Sequence, residues 1–493
     1  MPSRSLHWFR NWKYWPSVAL TVACGLLLAS SWVHLAPRSP QHAAVAAEGP
    51  PATPPAGGMS VRAAGAVGDG VADDTEAFRR ALRHGSIYLP RGTYRLTDTL
   101  DIDLAATPLV SVQGESGARI LMTAPGPALR FRGTHTGTAD PSSVLPGVGH
   151  SQRFPTVSGC EITGTHAEAD GLELLGTMQF TADRLLIYQV RHGIRLRERN
   201  RNLLLANCHL YDNRGIGIWY DHVNLHQSNI SGCHVSYCRG GGIVVQGGDV
   251  RNIHITGCDI EGNMAPAGPS TANVLLDCDD GTVAEVAITG CTIQHDAKSP
   301  ASANIRILGR GHVRRGNETL EFQCGHVTIT GNVLSDVHYN LDLRGVRGAT
   351  VTGNTLWQGY TANLWLEDCT QVVVGPNMLE RNPLYGYTQE ACNRVVVQHC
   401  RDLTFEGLHV HHVQDAVAGV VLENCDRLHV RGCTILDCDG AGLLVHNVTR
   451  SSLGSCLIRD DRSGERPRGI RLRVTGVNTE TTWDGQPLVQ DVP

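Results

Sequence analysis

Ionisable and aromatic side chains recur at regular intervals in the second half of the chain, on short β-rich segments. Acids, guanidinium groups and an aromatic ring that can stack on a sugar are the composition of a carbohydrate-binding cleft. An exposed strand surface with cross-strand ion pairs would contain the same residue types, so both interpretations stay open. The residues are Arg306, Asp342, Arg344, Trp365 and Glu367, with Asp277 one segment earlier and His338, Tyr339 and Tyr360 in the preceding turns.

Hydrolysis of a glycosidic bond needs two carboxyl groups, and Asp342 and Glu367 could supply them. The two residues are offset by two positions along the strand direction and by one repeat across it. Standard strand dimensions then separate their backbones by ~8 Å. This separation favours an inverting mechanism, in which a water molecule fits between the acid and the base.

β-Elimination of a uronic acid needs a base near the C5 proton and a cation that binds the carboxylate. Tyr339 or His338 could be the base, and Arg306 or Arg344 could be the cation. These residues do not establish a cofactor, although calcium could take part if the reaction is an elimination. A non-catalytic surface protein that binds glycan, or that acts as a spacer, is the competing functional class.

The elements that must position these residues are copies of one short unit. Triplets such as Ser231-Gly232-Cys233, Thr256-Gly257-Cys258 and Thr352-Gly353-Asn354 each end a β-rich run, and neighbouring copies lie roughly 22–25 residues apart. A repeat of this length indicates stacked units that bury a continuous core only together. Each unit has two short strands that alternate inward apolar and outward residues, so the sequence predicts a solenoid of parallel strands.

Alternation along the second strand of each unit predicts two columns of outward side chains. Successive coils would place these strands side by side in one parallel sheet. The first column reads Arg195, Gly217, Val244, Leu275, Arg306, Asp342, Trp365, Val396, Val421, Leu444 and Arg471. The second reads Arg197, Trp219, Gln246, Asp277, Leu308, Arg344, Glu367, Gln398, Glu423, His446 and Arg473. The substrate-binding candidates are therefore Arg306, Arg344, Trp365, Asp277, Trp219 and Tyr360.

The chain has 16 cysteines, and their positions favour free thiols over disulfides. Cys208, Cys233 and Cys258 share one repeat position with Asn332 and Asn354, so their side chains would point the same way along the stack. This arrangement predicts a row of buried, inert thiols and asparagines in a turn. It does not predict a zinc site, because the sequence has no CxxC pair.

A second group that could bind a metal is His409, His411 and His412. The sequence shows no matching set of carboxylates for these histidines. We therefore predict that they are exposed turn residues, and no metal site is assigned.

The first 36 residues have basic residues ahead of an apolar stretch, which is typical of a signal peptide or an N-terminal membrane anchor. A Pro- and Ala-rich linker at 37–58, a repetitive domain at 59–475 and a tail at 476–493 follow. The domain is therefore predicted to be extracytoplasmic, either secreted or anchored. A net charge of −5 gives no indication of nucleic-acid binding. The sequence sets no oligomeric state.

The repeats resemble the right-handed parallel β-helix superfamily, which includes pectate lyases, polygalacturonases and phage tailspikes. Residues 68–78, followed by 87–94, resemble the opening module of the rhamnogalacturonase/epimerase-like "pectate lyase 3" group. The resemblance implies an all-β fold, a single-stranded right-handed parallel β-helix with a short N-terminal capping helix. Asp73 or Asp74 could cap that helix, which would run from about Thr75 to Arg83.

In polysaccharide-acting relatives, the substrate lies along the outer face of the sheet that holds the two columns. The resemblance therefore implies a polysaccharide partner, and the uronate chemistry described above favours an acidic one. The Asn-Thr-Asp motif of polygalacturonases is missing and His192-Gly193 directly abuts Arg195, which opposes polygalacturonase activity. Residues 219–222 resemble the calcium segment of another pectate lyase family, but its companion arginine segment is absent from the sequence.

Overall fold

The computed structural model describes residues 58–137, 140–310, 312–315, 318–321, 324–380, 391–462 and 470–488. The predicted signal or anchor lies outside these ranges, as does the predicted linker apart from Gly58. Within the described ranges, no helix combines the length and the apolar character that crossing a membrane requires.

The repeats form stacked coils, and most coils contribute one strand to each of three parallel ladders, here called sheets 1, 2 and 3. Equivalent residues pair from coil to coil, so that Ile255 pairs with Ile288 and Ile288 pairs with Ile329. These inward side chains are fully buried in rows of aliphatic residues that continue along the stack. The predicted parallel β-helix is confirmed, and its core is shared between neighbouring coils, as expected for a solenoid.

The strands divide among the sheets as follows, and four long strands bend from one sheet into another; one of them, Ala169–Met178, is given with sheet 3, and its last two residues pair in sheet 1. Sheet 1 contains Met59–Ser60, Ile87–Leu89, Ser111–Gly114, Thr156–Ser158, Thr181–Asp183, the end of Ile194–Ala206, Asn224–Ser231, Asp249–Thr256, Thr282–Thr289, Cys324–Thr330, Val346–Thr352, Thr370–Val374, Arg401–Glu406, Asp426–Arg431, Ser452–Gly454 and Thr482–Trp483. Sheet 2 contains Asp69–Asp73, Gly92–Leu96, Ala118–Met122, Glu161–Gly164, Leu186–Tyr188, His209–Tyr211, His234–Ser236, Asp259–Glu261, Thr292–Gln294, the beginnings of Val333–Arg344 and Thr355–Glu367, Met378–Leu379, His409–His411, Thr434–Leu436 and Leu457–Arg459. Sheet 3 contains Leu100–Asp103, Gly126–Arg132, Ala169–Met178, the beginning of Ile194–Ala206, Ile216–Asp221, Gly241–Gln246, Ala272–Asp277, Ala303–Leu308, the ends of Val333–Arg344 and Thr355–Glu367, Val395–Gln398, Ala418–Glu423, Ala441–His446 and Ile470–Thr475.

A few elements depart from the parallel stack. The α-helices of the described ranges are Thr75–Leu82 and Pro146–Ser151, and Pro141–Ser143 is a 3-10 helix. Two antiparallel pairs, which suit short turns, join His312–Arg315 to Glu318–Glu321 and Thr482–Trp483 to Gln486–Pro487. Parallel pairing continues through Trp483, beyond the predicted end of the repeats at residue 475.

The helix Thr75–Leu82 is the predicted N-terminal capping helix. Its N-cap residue is Asp74, whose side chain makes no capping hydrogen bond; one carboxylate oxygen of the preceding Asp73 accepts hydrogen bonds from the N–H (3.0 Å) and the hydroxyl (2.6 Å) of the first helical residue. Asp74 instead accepts hydrogen bonds from two N–H groups of the preceding loop, at 2.6 and 3.1 Å. Phe78 packs edge-on against Tyr94 at 5.6 Å, so the helix covers the core of the first coils.

The interior cysteines are free thiols, as the repeat position predicted. The 15 cysteines of the described ranges form no disulfides, and all but Cys456 are buried. Side chains at this repeat position accept hydrogen bonds from the backbone of the neighbouring coil: the Cys258 N–H donates to Cys291 Sγ at 3.4 Å, and the Cys291 N–H donates to Asn332 Oδ1 at 2.9 Å. Burial raises the pKa of the Cys160 thiol to about 12, which keeps that thiol protonated and unreactive.

A buried ladder of amides fixes the turns that lead into sheet 3. The Asn273 amide donates to Asn304 Oδ1 at 2.8 Å, Asn304 donates to Asn340 at 2.7 Å, and Asn340 donates to Asn363 at 2.7 Å. Asn340 also donates to the carbonyl of Trp357 at 2.9 Å. Each of the last three asparagines precedes an outward residue of the candidate cluster by two positions, so the ladder sets where those residues lie.

We expect Asn340→Ala to lower the free energy of unfolding by about 1–3 kcal/mol, because it removes a donor and an acceptor from buried partners. Urea unfolding followed by circular dichroism measures the loss. Asn229→Ala, on an exposed strand position, is the matched control and should change stability by less than about 0.5 kcal/mol. Equal effects of the two variants would contradict a structural role for the ladder.

Candidate functional site

The pairing of sheet 3 decides which outward side chains are neighbours. Trp219 pairs with Arg195 and with Val244, whereas the predicted columns had placed Gly217 there and Trp219 in the second column. That prediction was wrong by two residues, because Gly215-Ile216 and Gly217-Ile218 are overlapping copies of one motif and only the second continues the ladder. The last coil shifts in the same way, and Arg473 takes the place predicted for Arg471 beside Leu444.

Most of the predicted catalytic and binding residues do come together, in a group called the Asp342 cluster: Arg306, Tyr339, Asp342, Arg344, Trp365 and Glu367. Asp342 is its centre, since Arg306 Nε donates to one carboxylate oxygen at 2.7 Å and Arg344 Nε donates to the other at 2.8 Å. Arg344 also pairs with Glu367 at 3.1 Å. The four charges therefore form one connected chain across neighbouring coils.

The inner half of the Asp342 cluster is closed to solvent. Asp342 is fully buried and Arg306 is 6% exposed. The turns of two successive coils cover Arg306, which donates to Ser270 Oγ and to the Ala301 carbonyl, each at 2.7 Å, and Arg306 in turn pairs with Asp342. Neither side chain is accessible to a polysaccharide in this structure. Their role in the cluster is to hold the Arg344 side chain in place, through the hydrogen bond that Arg344 donates to Asp342.

The outer half of the cluster is open. The Arg344 side chain is 40% exposed and the Glu367 side chain 24% exposed. The Arg344 guanidinium lies 5.9 Å from the centre of the Trp365 ring and the Arg394 guanidinium lies 5.8 Å from it. The Tyr339 ring is perpendicular to the indole, with the ring centres 5.8 Å apart. An indole flanked by two cations can stack on a sugar ring while a guanidinium binds a carboxylate on that sugar.

The remaining predicted residues lie around this platform. His338 Nδ1 is 3.2 Å from Thr361 Oγ1, and its ring centre is 6.2 Å from that of Tyr360. Burial lowers the pKa of His338, so its imidazole is neutral near pH 7 and could accept a proton. Asp277 is not joined to the cluster, because it pairs with Arg310 Nε at 2.7 Å.

A second polar group on the same sheet was missed by the sequence analysis. Asp221 accepts a hydrogen bond from Arg195 Nε at 2.9 Å and lies 2.9 Å from His222 Nδ1. The Arg195 guanidinium lies 4.5 Å from the centre of the Trp219 ring, and the His192 ring lies 4.7 Å from it. Choosing the second Gly-Ile motif would have placed Trp219 beside Arg195 and revealed this group, called the Arg195 cluster.

His192 is held as a neutral imidazole inside the Arg195 cluster. Its Nδ1 accepts a hydrogen bond from the Ile216 N–H at 3.1 Å, so that nitrogen cannot carry a proton. Burial lowers the pKa of His192 to about 4. The ring therefore packs against Trp219 without adding a positive charge beside Arg195.

The lowered pKa of His192 predicts a loss of stability in mild acid. His192 binds a proton near pH 6.5 in the unfolded chain and near pH 4 in the folded chain. Its contribution to the free energy of unfolding is therefore fully present above about pH 6.5 and is lost as the pH falls towards 4. We expect this residue to contribute up to ~3 kcal/mol of that loss. Urea unfolding at pH 7 and pH 4.5 should show a smaller difference for His192→Gln than for wild type. His84→Gln, at an exposed site, should match wild type, and identical pH dependence of all three proteins would refute the prediction.

Three carboxylates of the predicted site pair with arginines: Asp277, Asp342 and Glu367. Within the described ranges, the only group of three or more His, Cys, Asp or Glu residues with converging donor atoms lies elsewhere, at His411, His412 and Asp437. The carboxylate partner that the sequence did not reveal for these histidines comes from the following coil.

Three family models match consecutive parts of the chain. Residues 58–143 match "Rhamnogalacturonase A/epimerase, pectate lyase-like", residues 147–293 match "Right handed beta helix region", and residues 280–464 match "Periplasmic copper-binding protein (NosD)". No curated protein matches the chain. The first match covers the opening module that the sequence analysis singled out.

Solved structures are similar in fold at low sequence identity. Tailspike protein 3 of bacteriophage CBA120 is 14% identical, with a TM-score of 0.54 over 87% of this chain and 62% of the tailspike. The A-module of an Azotobacter vinelandii mannuronan C-5 epimerase is 13% identical, with a TM-score of 0.40 over 86% of this chain and 98% of that module. The catalytic unit of a Streptomyces thermodiastaticus α-1,3-glucanase is 13% identical, with a TM-score of 0.30 over 88% of this chain and 70% of that unit. Together with the stacked parallel strands, the match to the right-handed β-helix model and the likeness to the tailspike identify the fold of the chain as a right-handed parallel β-helix.

Proposed function

We propose that this protein binds an acidic polysaccharide along the outer face of sheet 3 and cleaves it by β-elimination outside the cytoplasm. The observation that carries the proposal is the exposed Arg344 guanidinium held beside the Trp365 ring. Such a pair offers a stacking surface and a carboxylate-binding cation within the reach of one uronate residue. The match of residues 58–143 to a pectate lyase-like family supports the substrate class, and the match to a periplasmic family supports the location.

Elimination is favoured over hydrolysis by the burial of Asp342. Hydrolysis needs two carboxyl groups that reach the scissile bond. Of the two carboxylates in the Asp342 cluster, only that of Glu367 reaches solvent, because Asp342 lies beneath Arg306 and Arg344. A hydrolytic pair made of Asp342 and Glu367 would therefore require the covering loop to move.

The elimination uses partly exposed residues of the Asp342 cluster and the neighbouring His338. Tyr339 or His338 removes the C5 proton of the bound uronate, while Arg344 neutralises its carboxylate and stabilises the charge that develops there. The electron pair of the C5–H bond forms a C4–C5 double bond, and the C4–O glycosidic bond breaks. The departing oxygen takes a proton, so the products are a new reducing end and an unsaturated uronate.

The test is to incubate the full-length protein with uronate-rich and neutral polysaccharides, with and without calcium. Ultraviolet absorbance reports the unsaturated product, and reducing ends report any cleavage. We expect both signals to rise together with a uronate polymer and neither to rise with a neutral polymer. Reducing ends without absorbance would replace elimination with hydrolysis and direct attention back to the carboxylates.

Non-catalytic binding is the second candidate. It is favoured by the ion pairs of Glu367 and Asp342 with Arg344, which occupy the carboxylates that a hydrolase would need. In that case neither the ultraviolet absorbance nor the number of reducing ends rises, while a gel that contains a uronate polymer still retards the protein. Trp365→Ala should then weaken retention, because the stacking surface is lost.

A further inference from the structure

Three side chains at one turn of sheet 2 converge on a common point. His411 pairs with Leu436 on the next coil, so the residues that follow them, His412 and Asp437, occupy equivalent turn positions. Both have a left-handed backbone, with φ of 59° and 54°. The shared turn brings the second histidine and the carboxylate to the same side as His411.

The donor atoms are close enough to share one ion. His411 Nε2 lies 3.2 Å from Asp437 Oδ2, and the rings of His411 and His412 stack with centres 4.0 Å apart. One donor atom from each of the three residues lies within 4.8 Å of the other two. The Asp461 N–H donates to the other oxygen of Asp437 at 2.9 Å, which fixes the orientation of the carboxylate, as hydrogen bonds around metal ligands commonly do.

The same residue types elsewhere on sheet 2 show that this convergence is specific. His209 and His234 stack at 4.7 Å on earlier coils, and His234 Nδ1 lies 3.5 Å from Asp259 Oδ2. Their donor atoms do not form a group of three, and the His234 side chain is 54% exposed, against 27% for His411. The comparison set is a surface row of histidines, whereas His411, His412 and Asp437 are all partly buried.

We propose that His411, His412 and Asp437 bind a divalent transition-metal ion, with copper(II) preferred over zinc(II). Two imidazoles and a carboxylate suit these ions, and sites of mixed donors generally bind copper(II) more tightly than zinc(II). Three protein ligands leave further coordination positions for water or for a small ligand. The donor set fits the metal named by the family model that matches residues 280–464, and the site lies on a different sheet from the proposed glycan platform.

The test uses the full-length protein titrated with copper(II) and read by electron paramagnetic resonance. We expect one bound ion whose spectrum has hyperfine splitting from two imidazole nitrogens, and weaker zinc(II) binding by calorimetry. His411→Ala combined with His412→Ala should weaken copper(II) binding on the order of 100-fold and remove the splitting, and Asp437→Asn should weaken it about 10-fold or more. His209→Ala combined with His234→Ala is the matched control and should leave affinity and spectrum unchanged.

Two results would overturn the proposal. One is a wild-type protein that binds no copper(II) at equimolar micromolar concentrations. The other is a double variant of His411 and His412 that keeps the wild-type affinity and spectrum. If thermal unfolding shows that the double variant is misfolded, Asp437→Asn provides the test instead. A copper(II) affinity and spectrum of Asp437→Asn that match wild type would equally exclude this site.

Discussion

Asp342→Asn is expected to lower the free energy of unfolding by about 3–5 kcal/mol, the range typical when one partner of a buried ion pair is removed. The asparagine keeps a similar shape but removes the negative charge between two guanidinium groups. Arg306 would then be a buried cation without a counter-ion, held under the covering insertion by Ser270 and Ala301. Chemical unfolding of the full-length protein measures the loss as a shift in midpoint at constant slope.

Glu367→Gln is the matched control for this prediction. Glu367 pairs with the same Arg344, but the side chains of both residues reach solvent. We therefore expect Glu367→Gln to change the free energy of unfolding by less than about 1 kcal/mol. A small effect of Asp342→Asn, similar to that of Glu367→Gln, would show that the buried charge is not needed for folding. The comparison also separates a structural role from a catalytic one. If Asp342 is only structural, Asp342→Asn lowers activity only in proportion to the loss of folded protein.

The architecture was predictable because its signals are local and repeated. The Gly-Cys and Gly-Asn triplets mark the same turn in successive coils, and the alternation of the second strand assigns inward and outward residues. The opening helix was also predictable, from Asp73 and the amphipathic run that follows it. Each coil repeats the same pattern, so an error in one coil does not change the predicted fold.

The site was predicted less completely, because its properties depend on contacts between distant segments. Alternation correctly made Asp342 outward, but Asp342 is buried beneath Arg306 and Arg344, and Arg306 is in turn held by Ser270, more than 70 residues before Asp342, and by Ala301. No outward column can reveal a covering loop. Trp219 was assigned to the wrong column because two Gly-Ile motifs follow each other directly. Only the pairing of neighbouring strands shows which motif continues the ladder.

The partner of the clustered histidines was hidden for a related reason. Asp437 follows His412 by 25 residues, as the equivalent residue of the next coil. A search for carboxylates near His409, His411 and His412 in sequence does not find it. In a solenoid, residues one repeat apart are spatial neighbours, so functional groups are better sought by repeat position than by sequence distance.

Removing the base of the proposed elimination is expected to lower kcat by about 10²–10⁴-fold. Tyr339→Phe removes only the hydroxyl and retains the ring that packs against Trp365 and lies beside Arg306. His338→Asn removes the imidazole on the neighbouring side, near Tyr360. One of the two variants should show the large loss and the other a change of less than about 10-fold, measured as initial rates of unsaturated product from a uronate polymer.

The pH dependence of kcat/KM identifies the base independently of the variants. Burial lowers the pKa of His338, so a reaction that uses it keeps its full rate at neutral pH and declines only in acid, below the ordinary pKa of histidine. An acid-limited profile of this kind should accompany the loss in His338→Asn. Losses below 10-fold in both variants would exclude both residues as the base, whichever profile is found.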